Sequence, residues 1–328
     1  MKRELKMNNS QNPLVSIVIP LYNEEAVFER LINRLDQVLE SFEPATEVVL
    51  IDDGSSDKTA ELMRNKCLSD ARYTGLFLSR NHGHQLALSA GLSHARGSQA
   101  IMVLDGDLQD PPELISDFYK LYLEGYDVVY AIRKNRKEGL FKKMAYWAYY
   151  RLQKSVSNFN IPIDSGDFGL MSRRVVDKLN AMPEQSRYLR GMRSWIGFRQ
   201  TGFAYSRDER KEGQSNYGWK QLLGLAFNGI FNFSEFPIRL ITRLGLFTII
   251  ISLIYLGDVL YKKLFTDQIV PVGFTAILMA IILFSGVQLI SIGIIGEYVL
   301  RIFFQVKNRP LYIVAEKIVE GKTNNDIN

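Results

Sequence analysis

Two aspartates, Asp105 and Asp107, stand one residue apart directly after an apolar run at residues 100–104. Carboxylates at this spacing can hold a hard divalent cation, and diphosphate oxygens and water would fill its remaining coordination positions. The same aspartates could instead only close a turn before Pro111 and Pro112. The main chemical hypothesis from the sequence is therefore metal-assisted binding of a diphosphate.

Two further apolar runs also end in residues that suit a nucleotide. Pro20 ends the first run, and Tyr22 just beyond it can lie against a base. Another run ends in Asp52 and Asp53, whose carboxylates can accept hydrogen bonds from a pyrimidine N–H or from ribose hydroxyls. Each feature alone is weak, because Asp-Gly after a strand is commonly only a turn. Together they predict a nucleotide pocket at the ends of successive strands.

The apolar runs alternate with stretches of helical spacing, which predicts an α/β domain with a mainly parallel sheet. The expected strands are residues 15–20, 47–51, 74–78, 100–104 and 126–131, and the expected helices are 24–41, 57–68, 84–95 and 112–124. Ser56 or Asp57 is the expected N-cap of the second helix. Ligands of such sheets bind at the carboxyl ends of the strands, where the acidic residues stand.

Several classes of protein are disfavoured. No G-x-G-x-x-G follows the first strand and no G-x-x-x-x-G-K-[ST] occurs, which argues against a dinucleotide oxidoreductase or a P-loop nucleotidase. One cysteine and three histidines give no soft-ligand cluster, so any metal should be bound by oxygen. A net charge of +5 is more typical of an ordinary solvated surface than of a nucleic-acid binder.

The last third of the chain predicts membrane segments. Residues 244–260 are apolar except for Asp258, and residues 269–296 carry no charge. Each stretch is near or above the roughly 20 residues that span a bilayer. Arginines precede the first stretch and follow the second, which predicts cytoplasmic ends, although two lysines in the connecting loop weaken the contrast. The polar start of the chain has no apolar segment behind it, so we expect no cleavable signal and a cytoplasmic first domain.

Two further segments combine aromatic with basic or apolar residues. Residues 133–147 place lysines and arginines beside Phe141, Tyr146 and Trp147, and residues 219–236 have apolar side chains at helical spacing. Both suit a helix that lies in the membrane interface. A solvated surface helix for the first segment and core packing for the second stay open as alternatives.

Four motifs follow one another along the chain: Pro20-Leu-Tyr-Asn-Glu24, Asp52-Asp-Gly-Ser, Asp105-Gly-Asp-Leu-Gln-Asp-Pro-Pro-Glu113 and Gly166-Asp-Phe. In this order they resemble glycosyltransferase family 2 in its polyprenyl-phosphate sugar transferase branch, which includes dolichol-phosphate mannose synthase and the bactoprenol glucosyltransferases. The tail Gly296-Glu-Tyr-Val-Leu-Arg301 with Arg309-Pro-Leu-Tyr-Ile-Val314 is similar to bacterial members with two membrane spans. The resemblance covers residues 14–314.

The resemblance implies a GT-A type, Rossmann-like nucleotide-sugar domain with interfacial helices and a C-terminal two-helix transmembrane hairpin. It also implies roles for particular residues on the donor side. The nucleotide site would be lined by Pro20, Tyr22, Glu24, Asp52, Asp53 and Asp105. Asp107, with Gln109 beside it, would hold Mg²⁺ or Mn²⁺, and His84 would lie near the sugar at a position that is often lysine.

On the acceptor side, the resemblance implies that Arg133, Arg207, Arg210 and Ser215 contact a lipid phosphate, and guanidinium groups suit a phosphate monoester. Asp167 resembles the residue usually assigned as the base. A phosphate monoester with a second pKa near 6 is already mostly ionised at neutral pH, so orienting the acceptor or the sugar is the competing role for Asp167. Gly169 stands where members often have arginine, which leaves the role of that arginine in doubt.

The expected boundaries are a polar tail at 1–13, a catalytic domain at 14–217, an interfacial region at 218–240, two transmembrane helices at 241–304 and a cytoplasmic tail at 305–328. No internal repeat is visible.

The expected activity is inverting transfer of one sugar, with glucose and a UDP-linked donor as the expectation, to undecaprenyl or another polyprenyl phosphate at the cytoplasmic membrane face. The partners are the donor, the lipid acceptor and membrane lipids, and a homo-oligomer is left open. One alternative is a processive polysaccharide synthase, disfavoured because no Gln-x-x-Arg-Trp segment is present. The other is an inactive scaffold or lipid-translocation partner, which the intact acidic clusters disfavour.

Overall fold

The computed structural model describes residues 13–134, 165–206, 236–265 and 273–324. The chain forms two compact units. The first comprises Met1–Tyr150, Phe159–Gly218 and Arg309–Asn328, and the second comprises Arg151–Asn158 and Trp219–Asn308. The chain thus leaves the first unit and returns to it at Arg309.

The described part of the first unit contains a nine-stranded sheet in the order β7-β5-β6-β4-β1-β2-β3-β8-β9. Its strands are β1 (Val15–Leu21), β2 (Thr46–Asp52), β3 (Tyr73–Leu78), β4 (Ala100–Val103), β5 (Val128–Lys134), β6 (Ser165–Ser172), β7 (Gln200–Ser206), β8 (Val314–Val319) and β9 (Lys322–Asn324). The four central strands β4, β1, β2 and β3 are parallel. β6 runs antiparallel to β4 and β5, while β7 is parallel to β5.

Six helices accompany the sheet in the described residues of this unit. They are α1 (Glu25–Ser41), α2 (Thr59–Ser69), α3 (His84–His94), α4 (Ile115–Leu123), α5 (Arg173–Ala181) and α6 (Leu189–Ile196). A 3₁₀ turn, Pro112–Leu114, precedes α4. All seven residues of β1 are buried, as expected for a strand of a parallel sheet that is covered on both faces. The expected α/β alternation up to β5 is therefore confirmed.

The start of α2 differs slightly from the expectation. Its N-cap position is Lys58, whose side chain makes no capping hydrogen bond. The Asp57 carboxylate still accepts the backbone N–H of Thr59 at 2.9 Å, so it satisfies an early amide of the helix from one position further upstream. Ser56 faces the loop after β1 instead, where its backbone N–H reaches Asn23 Oδ1 at 2.8 Å.

The C-terminal segment adds two strands that the sequence analysis, which expected only a tail at 305–328, did not predict. β8 pairs antiparallel with β3, and β9 pairs with β8. The Ser79 backbone N–H donates to Ile313 O at 2.9 Å, and Arg64 forms an ion pair with Glu316 at 2.7 Å. The segment after the last helix is thus an integral part of the nine-stranded sheet.

The second unit contains two long helices, α7 (Phe236–Phe265) and α8 (Phe274–Lys307), which contact one another. Among the described residues, one segment, Phe284–Lys307, is long and apolar enough to cross a membrane. The expected hairpin of two spans is therefore not shown, because one helix qualifies; its candidate segment overlaps the second predicted span, 269–296, at residues 284–296. The apolar stretch of α7 is interrupted by Asp258. The segments predicted as interfacial helices fall mostly on residues 135–164 and 207–235, outside the described part of the chain.

Candidate active site

The loops that follow β1 and β2 are joined by reciprocal hydrogen bonds. The backbone N–H of Asn23 donates to Ser55 Oγ at 3.0 Å, and that of Ser56 donates to Asn23 Oδ1 at 2.8 Å. The backbone N–H of Glu24 donates to Thr59 Oγ1 at 2.8 Å. These contacts fix the segment that carries Tyr22 and Glu24 against the end of the neighbouring strand.

The predicted nucleotide residues of these loops differ in what they can offer a ligand. Pro20 is buried within β1, whereas the Tyr22 side chain is 44% exposed and accessible to a flat ring. Asp52 is buried and accepts the backbone N–H of Ser55 at 3.2 Å. Burial raises the pKa of Asp52, against the hydrogen bonds from Ser55. Asp52 thus stabilises the loop that follows β2, whereas the Tyr22 ring is accessible to a ligand.

Asp53 holds the loop that leads into α3. Its two carboxylate oxygens accept the backbone N–H groups of His82 at 2.7 Å and of Gly83 at 2.9 Å. Burial raises the pKa of Asp53, and these two hydrogen bonds oppose that rise. Asp53 therefore determines where His84, the first residue of α3, is placed.

The turn with Asp105 and Asp107 lies against the end of β1. A Cβ at Gly106 would meet Leu21 Cδ2 at 2.5 Å, so a larger residue here would force the Leu21 side chain to shift. Leu108 has a φ of 58°, an uncommon conformation for a bulky residue that is often found at functional sites. The backbone N–H of Gln109 donates to Asp107 Oδ1 at 3.1 Å, the contact expected of a turn-closing aspartate.

Asp107 and Gln109 are both partly exposed, as a ligand to a cation must be. Among the described residues, however, no three His, Cys, Asp or Glu side chains come together as a metal-binding group. A cation bound here would be coordinated by oxygens of this turn and by oxygens of a bound substrate.

Asp167, on β6, is the common acceptor of several donors. Arg190 on α6 donates to it through Nε at 3.0 Å and Nη2 at 3.2 Å, and Gln85 Nε2 donates at 2.9 Å. Gln85 in turn accepts the backbone N–H of Leu189 at 2.9 Å, which links α3 to α6. Burial disfavours the charged carboxylate, but Arg190 and His84 outweigh it and hold the pKa of Asp167 well below its usual range.

His84 lies between two carboxylates, Asp105 in the turn after β4 and Asp167 on β6. Its Nε2 is 3.5 Å from Asp167 Oδ2 and 3.8 Å from Asp105 Oδ1. Burial alone would lower the pKa of His84, but the hydrogen bond with Asp167 and the charges of both aspartates raise it above its ordinary value. The imidazole is therefore protonated more readily than in water.

Arg193 lies one helical turn from Arg190 and is almost completely buried. Its Nε and Nη2 have no hydrogen-bond partner in the part of the chain that the structure describes, and its guanidinium carbon lies 5.6 Å from the centre of the Tyr130 ring. Burial lowers the pKa of Arg193 to about 10. Gln85, Arg190 and Arg193 were not among the residues predicted from the sequence. The i, i+3 spacing of two arginines on an otherwise apolar helix was the available signal.

The residues predicted to contact the acceptor are largely beyond what the structure describes. Arg133 lies near the end of β5, where its backbone is paired with Tyr205. Arg207, Arg210 and Ser215 lie outside the described residues. The residues predicted to bind the donor are described more fully: the ends of β1, β2 and β4 are neighbours in the sheet, and the start of α3 contacts Asp53 after β2 and Asp167 on β6.

The comparisons with known proteins all indicate the same family. Residues 16–179 match the family model described as "Glycosyl transferase family 2". The uncharacterised glycosyltransferase YkcC of Bacillus subtilis (strain 168) is 43% identical over 309 residues, which cover 94% of this chain and 95% of that protein. The SfII prophage-derived bactoprenol glucosyl transferase of Shigella flexneri is 40% identical over 308 residues, which cover 92% of this chain and 97% of that protein.

Among solved structures, the mannosyltransferase PcManGT from Pyrobaculum calidifontis, in complex with GDP-Man and Mn²⁺, is similar at a TM-score of 0.45 and 14% identity. That match covers 91% of this chain and 88% of the mannosyltransferase. The described sheet and helices form a GT-A-like α/β domain, and the chain belongs to glycosyl transferase family 2.

Proposed function

We propose that the protein transfers one glucosyl residue from UDP-glucose to a polyprenyl phosphate, such as undecaprenyl (bactoprenol) phosphate, with inversion, at the cytoplasmic face of a membrane. The observation that carries the proposal is the 40% identity to a bactoprenol glucosyl transferase over 92% of this chain. A match of that extent includes the apolar C-terminal helix as well as the acidic strand ends. It therefore covers both the donor site and the segment suited to a lipid environment.

On the donor side, Tyr22 and Asp105 would face the nucleotide, with Pro20, Glu24, Asp52 and Asp53 shaping the loops around it. The donor set of Asp107 and Gln109 consists of hard oxygens, which fit Mg²⁺ or Mn²⁺. Such an ion, when bound, supplies positive charge that stabilises the departing diphosphate.

On the acceptor side, the reaction forms a bond between a phosphate oxygen of the lipid and the anomeric carbon while the bond to the nucleoside diphosphate breaks. The acceptor needs little help from a base, because a phosphate monoester is mostly ionised at neutral pH. Asp167 is a weak proton acceptor while Arg190 is paired with it. These facts favour an orienting role for Asp167, and Arg133, Arg207, Arg210 and Ser215 remain the proposed contacts of the lipid phosphate.

For the membrane arrangement, we propose that α7 and α8 both span the bilayer and that both termini and the catalytic domain are cytoplasmic. Gly273 to Gly296 carry no charge and, at 1.5 Å per residue, correspond to roughly 35 Å of helix, enough to cross the hydrocarbon core. Charged residues resume with the Glu297–Arg301 ion pair on the next turn. Both helices of the second unit, α7 and α8, are long enough to cross a bilayer.

Transfer to lipid is the direct test. Purified full-length protein in detergent would be incubated with undecaprenyl phosphate and, separately, with labelled UDP-glucose, UDP-N-acetylglucosamine or GDP-mannose. We expect label from UDP-glucose to enter the organic phase as a single sugar on the lipid. Label that stays in water with every donor would refute the proposal, and label in a long polymer would favour a processive synthase.

A further inference from the structure

Two arginines of the first unit are buried but differ in their hydrogen bonds. Arg187 is 9% exposed and donates to Ser89 Oγ at 3.3 Å. Two backbone oxygens, those of Met182 at 2.8 Å and Leu179 at 3.0 Å, accept its other N–H groups. Arg193 is 3% exposed, and its Nε and Nη2 have no hydrogen-bond partner among the described residues. Because a buried donor without an acceptor costs free energy and is uncommon in native proteins, these two nitrogens of Arg193 need another partner.

The charge of Arg193 also lacks a carboxylate of its own. The carboxylate whose charge acts on it is that of Asp167, whose oxygens already accept hydrogen bonds from Arg190 and Gln85. Arg190 and Arg193 are three residues apart on α6, so their side chains lie on the same side of the helix. Two guanidinium groups thus share one carboxylate, and an anion from outside the protein would balance the second.

The Tyr130 ring stabilises the guanidinium but leaves its N–H groups available. The guanidinium carbon lies 5.6 Å from the ring centre, within the range of a cation–π contact. An aromatic ring favours a cation but offers its N–H groups no oxygen acceptor. Tyr130 stands on β5, three residues before Arg133, one of the proposed contacts of the lipid phosphate. At about 3.3 Å per residue along a strand, the two positions are roughly 10 Å apart.

We propose that Arg193 binds a phosphate group of a substrate, whose oxygens accept the N–H groups that the protein leaves unpaired and whose charge balances the second arginine. A phosphate matches a guanidinium in charge and in the geometry of its oxygens. The inference rests on the function proposed above, which brings two such groups to the site: the diphosphate of the donor and the phosphate monoester of the lipid.

The test compares Arg193→Met with wild type, as purified full-length protein in detergent. Methionine is a long side chain without charge or N–H groups. Replacing a buried charge by an apolar side chain is often neutral or stabilising, so we expect the free Arg193→Met protein to unfold at the wild-type temperature or above it. Its KM for one of the two substrates should rise about tenfold to a hundredfold, the range for one charge-assisted hydrogen bond. A rise for undecaprenyl phosphate assigns Arg193 to the monoester, and a rise for UDP-glucose assigns it to the diphosphate.

Arg187→Met is the matched control. It removes the donor of two backbone oxygens, so it should lower Tm by roughly 2–12 °C and leave both KM values unchanged. Binding is also measured without transfer, as the rise in Tm when UDP with Mn²⁺, or undecaprenyl phosphate, is added. With one of these two ligands the rise should be smaller for Arg193→Met than for wild type.

Unchanged binding of both substrates by Arg193→Met would overturn the proposal. A fall in its Tm as large as that of Arg187→Met would also overturn it, because Arg193 would then be a structural part of the fold. Wild type that transfers no sugar to the lipid would refute the proposed function itself, whereas the ligand-induced rises in Tm would still test Arg193.

Discussion

The ion pair between Asp167 and Arg190 predicts unequal costs when each member is removed alone. The Asp167 side chain is 5% exposed and the Arg190 side chain is 37% exposed. Arg190→Gln leaves a buried carboxylate whose remaining side-chain partners, among the described residues, are Gln85 and His84. Breaking a buried ion pair by removing one partner costs about 3–5 kcal/mol. Asp167→Asn leaves a guanidinium that water can reach, so screening reduces the cost to about 1–2 kcal/mol.

Thermal unfolding of the purified full-length protein measures this difference. For a domain of roughly 200 residues, 1 kcal/mol shifts Tm by about 2–4 °C, so we expect a fall of about 6–20 °C for Arg190→Gln and about 2–8 °C for Asp167→Asn. The double variant should lose less than the sum of the two, because no buried charge is left without its partner.

An exposed pair supplies the control. Lys120 and Asp117 are 3.3 Å apart with side chains 71% and 43% exposed, so Lys120→Gln should change the free energy of unfolding by less than about 0.5 kcal/mol. If Asp167→Asn destabilises the protein as much as Arg190→Gln, the asymmetry of burial does not govern this pair and the reasoning is wrong.

Four further outcomes are expected. Asp107→Asn should lower kcat more than it lowers UDP affinity, and added Mn²⁺ should restore little of its activity. In the wild type, a chelator should stop transfer and Mn²⁺ should restore it. Wild-type transfer that continues in the presence of chelator would contradict this. Arg210→Ala should raise the KM for lipid phosphate about tenfold to a hundredfold in initial-rate assays and leave that for UDP-glucose unchanged. Gly169→Ala should lower Tm, because a Cβ there would lie 2.5 Å from a backbone carbonyl oxygen of β5, and overpacking costs about 1–3 kcal/mol. Burial opposes ionisation of Asp70, but Arg72 helps hold the pKa of Asp70 at about 2, against 3.8 ordinarily. Ionised Asp70 therefore stabilises the folded protein above pH 3.8, and this stabilisation is lost as the pH falls towards 2. Asp70→Asn should flatten that part of an acid unfolding curve.

The strands and helices up to β5 were predictable because their apolar runs are continuous and each ends in a turn signal. β1 and β2 are buried along almost their whole length, so hydrophobicity alone marks them. β8 could not be predicted in this way, since only Val314 and Ile318 among its residues are buried and its partner, β3, comes from far earlier in the chain. A local pattern of residues does not reveal a partner strand that is so distant in the sequence.

The candidate site was predictable where it depends on residue type at a strand end, as at Asp105 and Asp107. The environment of Asp167 was not, because Gln85 and Arg190 come from helices that are distant in sequence. Asp53 illustrates a second limit. The motif predicts a carboxylate for the nucleotide site, whereas the structure shows that both of its oxygens accept backbone N–H groups just before α3.

The pairing of β8 with β3 also determines when the sheet can be completed during synthesis of the chain. Gly75 is paired with Ile318, so about 240 residues must be synthesised after β3 before its outer edge is covered. At 5–20 residues per second this takes roughly 10–50 s, during which β3 exposes unpaired backbone groups while both long helices are being made. A ribosome that stalls within α8 would release a chain whose sheet ends in an open edge, a form that chaperones and proteases can distinguish from the finished protein.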